Sequence, residues 1–524
     1  MPTNDRSHAL DHLVVIMFEN RSFDNLLGYL YQPGEVPSFE GILGRDLSNS
    51  IPSDVAGADQ GFVRVHPAAN LDTPDPDPGE EHPHTNTQLF GTVAPATNRF
   101  ASVDDMKPPF NAPDDPSASP TMDGFVADYV NSFRQEIGTL PGSADYAQIM
   151  ACYTPEQMPV VRDLARGFAV FDHWFCEVPS QTYCNRSFVH AGTSSGLVLN
   201  SPPGTFARKN TAETVFERLQ KAGRSWKVYI DPRQLLPATG LIHGNNLIRF
   251  GGDHFSTIFD FYDEAGRGEL PDYAFIEPNM FHPHTDMHPP GLGRIRRELH
   301  LKPPNAMLGG EDLLAKVYNA VRDQPRQGRS NYANTFLLVT FDEHGGTYDH
   351  VPPPRVAAPN PADPAGEEGF RFDRSGIRVP AIAISAWLAP KTVVNQEYRH
   401  TSVIRTLRDT WDIGGPLTQR DASAASLAAL PFLDQPRPPE EWPKVTPRSL
   451  GLLAKLEEDL ERAFGGHLFR LEHELAGEAL WQEALTGRED HRGEIEGLKR
   501  VQARVHMKRI RDNMFPGIAK GRQK

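Results

Sequence analysis

The sequence predicts an α/β fold in which a central, mostly parallel sheet carries helices on both faces. Short apolar runs of strand length alternate along the chain with segments of helical periodicity, a pattern typical of parallel sheets. Several of these runs are apolar throughout, which indicates burial on both sides of the sheet. The chain has 524 residues, of which 39% are hydrophobic and 23% charged, so it can form a core of this kind.

The predicted strands are runs rich in β-branched and aromatic residues. The clearest are HLVVIMF (12–18) and TFLLVTF (335–341), and both lead directly into acidic residues. Further strands are predicted at 168–172, 226–230, 273–277 and 379–385. Helical periodicity predicts helices at 155–166, 211–222 and 310–322.

Two segments fall outside this alternation. Residues 32–120 are rich in Pro, Asp and Gly, and we expect them to form long loops over an active-site face. Residues 445–524 are rich in Leu, Glu, Lys and Arg at helical spacing. They predict a helical C-terminal appendage to a catalytic domain at 1–440, acting as a cap or in a homo-oligomer.

Composition excludes several classes of protein. The net charge of −15 argues against nucleic acid as a partner, since binding the phosphate backbone needs a basic face. Three cysteines without a C-x-x-C pair predict neither a disulfide framework nor a zinc knuckle. The apolar run Leu13–Phe18 is too short for a secretion signal, and no run reaches transmembrane length. We therefore expect a cytoplasmic protein.

Acidic residues follow three of the predicted strands: Glu19-Asn20, Glu277 and Asp342-Glu343. Ligands bind beyond the carboxyl ends of parallel strands, and buried carboxylates need a cation or hydrogen bonds. Hard oxygen ligands suit Mg²⁺, Mn²⁺ or Ca²⁺, and a nearby histidine would admit Zn²⁺ or Fe. Any one of these acids could instead cap a helix or lie in solvent. The crowding of titratable groups after Asp342-Glu343 favours a metal there.

The segment VPSQTYCNRSFVHAGTSSG (178–196) places Thr182, Asn185 and Arg186 at the start of a predicted helix. A threonine there could be a nucleophile, and the other two side chains could donate to a phosphoryl oxygen. Spacing alone favours the alternative, in which Thr182 caps the helix and Arg186 is exposed.

Histidines stand beside acids or prolines in the predicted loops: His82 and His84 in EEHPH, His288 in DMHPP and His350 in YDHVPPP. Such residues could protonate a leaving group, although a single loop histidine is more often structural. His288 and His350 are the stronger candidates, because each lies next to or near an acid and precedes a proline-stiffened loop.

Eight segments in collinear order resemble the phosphoesterase family, which includes bacterial phospholipases C, AcpA-type acid phosphatases and plant non-specific phospholipases C. The longest matches are FENRSFDNLLGYL (18–30), VPSQTYCNRSFVHAGTSSG (178–196) and TFDEHGGTYDHVPPP (340–354). The others are MDGF (122–125), DYAFIEP with DMHPP (272–290), GGEDLLAKVYNAV (309–321), RVPAIAIS (378–385) and HTSVIRT (400–406).

The resemblance implies an alkaline-phosphatase-like fold and a set of site residues. It implies that Glu19, Asn20, Asp342 and Glu343 hold a divalent metal together with Thr182, which is the nucleophile. It also implies that His84, His288 and His350 line the phosphate pocket. The early histidine is ambiguous between His82 and His84, and Cys184 replaces the proline that family members usually have before Asn-Arg.

These residues predict a metal-dependent hydrolase of phosphoric esters that forms a phospho-threonine intermediate. Its substrate could be a diester, as in a phospholipase C, or a monoester, as in an acid phosphatase. The alternative from another class is a catalytically silent metal-binding or assembly protein that uses the C-terminal helices. The completeness of the set at Glu19, Asn20, Thr182, Asp342 and Glu343 disfavours that alternative.

Overall fold

The computed structural model describes residues 5–448, apart from residues 56–60, 72, 201–205, 207, 232–233, 235–236, 248–249, 251–253, 281–283 and 290–305. The strands are β1 His12–Phe18, β2 Ser48–Ser50, β3 Phe62–Arg64, β4 His66–Pro67, β5 Ala151–Cys152, β6 Ala169–Phe171, β7 Trp174–Phe175, β8 Trp226–Ile230, β9 Phe255–Thr257, β10 Tyr273–Glu277, β11 Thr335–Phe341, β12 Ala381–Ile384, β13 Thr392–Val394 and β14 Tyr398–Arg399.

The helices lie between these strands and in the long loops. They are α1 Phe23–Leu27, α2 His82–Phe90, α3 Phe125–Ile137, α4 Ser143–Tyr146, α5 Pro159–Gly167, α6 Thr182–Ala191, α7 Val215–Lys221, α8 Ala238–Ile242, α9 Gly244–Leu247, α10 Ile258–Arg267, α11 Ala306–Arg322, α12 Thr401–Trp411 and α13 Gln419–Ala422. Short 3-10 turns separate several of them.

The main sheet has the strand order β13-β6-β12-β11-β1-β10-β8-β9 across the described residues. Its centre is parallel, since β1 pairs in parallel with both β10 and β11. β12 runs antiparallel to both of its neighbours, so the sheet is mostly and not wholly parallel. Every residue of β1 and β11 is buried, which agrees with their uniformly apolar sequences.

Helices cover both faces of the sheet. Trp226 and Tyr229 are three residues apart on β8, so their side chains point to opposite faces. The Trp226 ring contacts Phe216 of α7, and the Tyr229 ring contacts Phe261 of α10. The predicted layering of helices on both faces is confirmed.

Two helices begin later in the sequence than predicted. α5 begins at Pro159 and not at residue 155. Proline suits the first helical position, because it has no backbone N–H and the N–H groups of the first turn have no acceptor within the helix. α7 begins after Thr214, whose side chain accepts from the amide of Glu217 in a reciprocal capping box. The predicted start at residue 211 was therefore one turn early.

The C-terminal prediction is largely outside the described residues. Residues 441–448 are described, and they pack on the α/β body: the Trp442 ring contacts Phe168, and Arg448 pairs with the buried Glu311 at 2.6 Å. A domain boundary at 440 would separate these contacts. Within the described chain, none of the helices has the length and apolar character needed to cross a membrane.

Candidate active site

The carboxyl ends of β1 and β11 bring together two acidic pairs that are far apart in the sequence. Phe18 and Phe341 are register partners at the ends of adjacent strands, so the residues that follow them leave the sheet side by side. The amide of Asn20 donates to Asp342 Oδ1 at 3.3 Å. These contacts place Glu19, Asn20, Asp342 and Glu343 in one buried cluster, which we call the acid cluster.

Arg186 enters the acid cluster from helix α6. Its Nε donates to Asp342 Oδ2 at 3.0 Å, and its Nη2 lies 3.2 Å from Glu19 Oε1. Its Nη1 is buried without a hydrogen-bond partner in the described part of the chain. Arg186 is thus buried and not exposed, contrary to the simpler alternative from spacing alone, and one of its donors remains available.

Glu80 joins the acid cluster from the long loop before α2, and the sequence analysis missed it. The side-chain Nδ2 of Asn20 donates to Glu80 Oε2 and lies 2.9 Å from His288 Nε2. The run TPDPDPGEEHPH was recognised as an acidic loop, but nothing in its pattern shows which acid reaches the sheet. Gly79-Glu80 is held there by Gln88 of α2, whose amide nitrogen donates to the Gly79 carbonyl at 2.7 Å.

The cluster is electrostatically unfavourable without added positive charge. Burial, and then the Asp342 carboxylate, raise the pKa of Glu19 and of Glu343 well above the ordinary range. Burial and the Glu343 carboxylate do the same to the pKa of Glu80. The group must therefore take up protons or a cation, because Arg186 supplies a single positive charge.

The donor set fits a divalent cation. Glu343 Oε1 and Asn20 Oδ1 are buried oxygens with no hydrogen-bond partner among the described residues. Carboxylate and amide oxygens are the ligands that Mg²⁺, Ca²⁺ and Mn²⁺ prefer. Unpartnered buried oxygens are rare in folded proteins unless something else satisfies them.

Two glycines pack the turn after β11 against the rest of the site. Gly345 has φ 59° and Gly346 has φ 63°, in the left-handed region. A Cβ on Gly345 would lie 2.3 Å from the Asn20 carbonyl oxygen, and one on Gly346 would lie 2.6 Å from the Gly79 carbonyl oxygen. The two glycines therefore admit the backbones of the loops that carry Asn20 and Glu80.

Thr182 is the first residue of α6 and is buried. The N-cap position belongs to Gln181, so the interpretation of Thr182 as the cap is wrong. Thr182 and Arg186 are four residues apart on one helix and therefore share a face. Because Arg186 reaches Glu19 and Asp342, this face points toward the acid cluster.

Asn185 shapes the loop that leads into α6. Its Oδ1 accepts from the amides of Glu177 and Val178, both at 2.9 Å. Its Nδ2 donates to the carbonyls of Ser180 and Gln181. These backbone contacts use both ends of a fully buried amide, so they do not agree with the predicted contact between Asn185 and substrate.

A cleft of about 370 Å³ opens beside the cluster and is lined by Asp77, Glu80, Glu81, His84 and Gln181, among others. His84 Nδ1 lies 2.7 Å from Asp128 Oδ1. Burial lowers the pKa of His84, but the Asp128 carboxylate outweighs burial and raises it to about 9. His84 is therefore a cation at neutral pH.

His82 has a different environment two residues earlier. Its Nδ1 lies 3.0 Å from the Pro179 carbonyl oxygen, and burial lowers its pKa to about 4. Its ring packs on Phe370. Of the two alternatives for the early histidine, His84 is the one that lines the cleft, while Glu80 is the side chain that reaches Asn20.

The structure places His350 in a separate cluster. Its Nδ1 lies 2.5 Å from Asp24 Oδ2, and its Nε2 lies 3.6 Å from Glu40 Oε1. Arg378 bridges Asp24 and Asp349 at 3.0 and 2.9 Å, so a guanidinium already supplies the positive charge here. These contacts do not agree with the predicted role of His350 in the phosphate pocket.

Glu277 caps a helix, which was one of the alternatives for an acid at a strand end. Its carboxylate accepts from the amides of Ala238 and Thr239 at 2.9 and 2.6 Å, at the start of α8. It therefore binds a helix terminus, and of the three strand ends only those of β1 and β11 contribute to the acid cluster.

Comparison with known proteins identifies the family of this chain. Residues 10–414 match the model of the Phosphoesterase family. The chain is 30% identical over 441 residues to non-specific phospholipase C3 of Arabidopsis thaliana, covering 81% of this chain and 74% of that protein. It is 27% identical over 355 residues to phospholipase C B of Mycobacterium tuberculosis, covering 60% and 63% of the two chains.

Among solved structures, a protein in the alkaline phosphatase superfamily from Vibrio parahaemolyticus overlaps 51% of this chain and 64% of its own, with 14% identity and a TM-score of 0.32. A likeness at this level decides nothing about the site. The family match covers most of the chain and includes both halves of the acid cluster. The chain thus belongs to the Phosphoesterase family and is a hydrolase of phosphoric esters.

Proposed function

We propose that this protein is a divalent-metal-dependent phosphodiesterase of the phospholipase C type, acting through a phospho-threonine on Thr182. The observation that carries the proposal is the acid cluster, with its two unpartnered oxygens, at the sheet edge that Thr182 faces. Glu19, Asn20, Asp342 and Glu343 would hold the cation. When bound there, it would lower the pKa of the Thr182 hydroxyl and withdraw charge from phosphorus.

The remaining steps belong to side chains of the cleft. The Thr182 hydroxyl loses its proton to solvent, and its oxygen forms a bond to phosphorus while the bond from phosphorus to the alcohol breaks. His84, a cation through Asp128, gives its proton to the departing alcohol. The free Nη1 of Arg186 donates to a non-bridging oxygen. A water oxygen then bonds to phosphorus while the bond from phosphorus to the Thr182 oxygen breaks. That water returns a proton to His84, and the Thr182 oxygen takes up a proton from solvent.

The preference for a diester rests on the relatives. Both quoted relatives are named phospholipases C, and phospholipids are phosphodiesters. The acidic side chains of the cleft repel an anionic substrate. A phosphomonoester is a dianion and would be repelled more strongly than a diester, which carries a single negative charge. We therefore expect hydrolysis of phosphatidylcholine and of p-nitrophenyl phosphorylcholine to exceed that of p-nitrophenyl phosphate.

The test uses the three substrates with matched threonine variants. Thr182→Ala should lower kcat roughly 10³-fold or more, since no oxygen remains to attack phosphorus. Thr182→Ser should keep activity, and Thr121→Ala, which removes an exposed hydroxyl, should match the wild type. Full activity of folded Thr182→Ala would refute the covalent mechanism. A preference for p-nitrophenyl phosphate would refute the diesterase assignment.

A further inference from the structure

Three further ligand groups lie beside the acid cluster. Asp77, Glu80 and His288 each offer an atom, and these atoms all lie within 4.8 Å of one another. His288 Nε2 is 3.8 Å from Asp77 Oδ2. A cation placed among them would have two carboxylates and one imidazole within reach, a set that Mn²⁺ and Zn²⁺ accept.

The tautomer of His288 suits metal binding. Its Nδ1 lies 2.6 Å from the Pro289 carbonyl oxygen, which can only accept, so Nδ1 carries the proton. Its Nε2 then presents a lone pair to Asp77 and Glu80. Histidine ligands of metals usually donate their other N–H to a carbonyl or carboxylate in this way. The same tautomer argues against the predicted role of His288 as a proton donor to the leaving group.

The side-chain Nδ2 of Asn20 contacts two of these three ligand groups. It is a donor between the lone pair of His288 Nε2 and the Glu80 carboxylate, and it belongs to a wholly buried side chain. In the described structure, Asn20 Oδ1 and Asp77 Oδ1 are both buried without a hydrogen-bond partner. A cation bound by His288 Nε2 and Glu80 would replace Nδ2 as the partner of both groups.

The charge of the site gives an independent argument. The carboxylates that act on one another here are Glu19, Asp77, Glu80, Glu81, Asp286, Asp342 and Glu343, and the guanidiniums that act on them are Arg21 and Arg186. If all are ionised, the carboxylates exceed the guanidiniums by five charges. One divalent cation would leave an excess of three, which is unfavourable for a phosphate ester, and a second would lower the excess to one.

We propose that Asp77, Glu80 and His288 hold a second divalent cation beside the first, so that the active centre is binuclear. This inference rests on the proposed function, because the first cation is the one held by Glu19, Asn20, Asp342 and Glu343. The competing state has one cation, with a proton on Glu80 relieving the remaining repulsion.

Metal content distinguishes the two states without an activity measurement. The full-length chain is stripped with chelator, saturated with Mn²⁺ and analysed by equilibrium dialysis with elemental analysis and by EPR. We expect two Mn²⁺ per chain and the spectrum of a spin-coupled pair. Glu80→Gln and Asp77→Asn should each reduce the count to one and remove the coupling, while Asp104→Asn, an acid elsewhere in the cleft, should keep two.

Circular dichroism shows whether each variant is folded. The Mn²⁺ content of the wild-type chain tests the proposal even if a variant does not fold. A wild-type chain that saturates at one Mn²⁺ and hydrolyses phosphodiesters would overturn the second site and leave the proposed function intact. A folded Glu80→Gln chain that keeps two Mn²⁺ would also overturn it. A wild-type chain that hydrolyses phosphodiesters without any bound metal would overturn both proposals.

Discussion

His82 and His84 lie in the first turn of α2, yet their partners give them opposite charge states. The Pro179 carbonyl cannot compensate for burial of a cation, so His82 stays neutral, whereas the Asp128 carboxylate keeps His84 protonated. Asp128 is held by a second contact, since the Gln88 amide nitrogen donates to its other oxygen at 2.8 Å. At the scale of single residues, Asp128 is therefore a positioning residue for the cation of the cleft.

Removing the Asp128 charge should shift the pH dependence of hydrolysis. In Asp128→Asn, burial would still lower the pKa of His84, and only the smaller effects of Glu81 and Glu368 would oppose it, so the pKa should fall well below about 9. The protonated form is the active one, so wild-type kcat should decline as the pH rises through about 9. The variant should lose activity in the neutral range. Asp115→Asn, at an exposed acid, serves as the control, and an unchanged alkaline limb in Asp128→Asn would contradict the role of His84.

Sequence patterns identified some of these residues and could not identify others. Asp342-Glu343 was predictable because a uniformly apolar strand runs straight into it. Glu80 was not, because its position depends on contacts with Asn20 that lie 60 residues away and follow no period. His350 was predicted by its neighbours in the chain, but its environment is set by Asp24 and Arg378, which no local pattern reveals.

Among the structural elements, the turn after β11 joins the two halves of the site. Gly345 contacts the backbone of Asn20, and Gly346 contacts the backbone of Gly79. Gly345→Ala should destabilise the fold by roughly 2–5 kcal/mol, because the side chain both disfavours a left-handed φ and collides with the Asn20 carbonyl.

The matched control is Gly223→Ala, since Gly223 also has a positive φ, of 69°, but no atom within 4 Å of an added Cβ. It should lose only about 1 kcal/mol, the conformational part of the effect. Urea unfolding of both variants measures the difference. Equal losses would show that the close approach at Gly345 does not contribute to stability.

Element types were predicted better than element directions and ends. The strand at 379–385 was recognised from its composition, but its antiparallel direction is decided by its pairing with β6 and β11. Thr211 and Thr214 are both plausible N-cap residues for α7 in the sequence. The capping box forms at Thr214, so the helix begins after that residue.

For the whole molecule, residues 441–448 contact the α/β body, just beyond the predicted end of the catalytic domain at residue 440. Trp442 packs on Phe168 and Tyr318, and the Tyr318 hydroxyl donates to the Pro443 carbonyl at 2.8 Å. Burial raises the pKa of Glu311 to about 7 even though Arg448 pairs with it. A chain truncated after Arg448 should therefore melt several degrees above a chain truncated after Glu440.

Thermal unfolding monitored by circular dichroism tests this boundary. Equal melting temperatures for the two truncated chains would contradict the packing role of residues 441–448. The helical appendage at 445–524 stays a prediction, and a change in composition does not reveal which flanking residues pack on the body.

The most direct test of the central claim is to locate the phosphoryl group during turnover. Wild-type protein mixed with p-nitrophenyl phosphorylcholine is quenched in acid, digested with trypsin and analysed by tandem mass spectrometry. We predict that the peptide ending at Arg186 carries the phosphorylcholine group of that substrate, located on Thr182, and that Thr182→Ala carries none. Substrate turnover with no modified peptide, or with the modification on another residue, would contradict the mechanism.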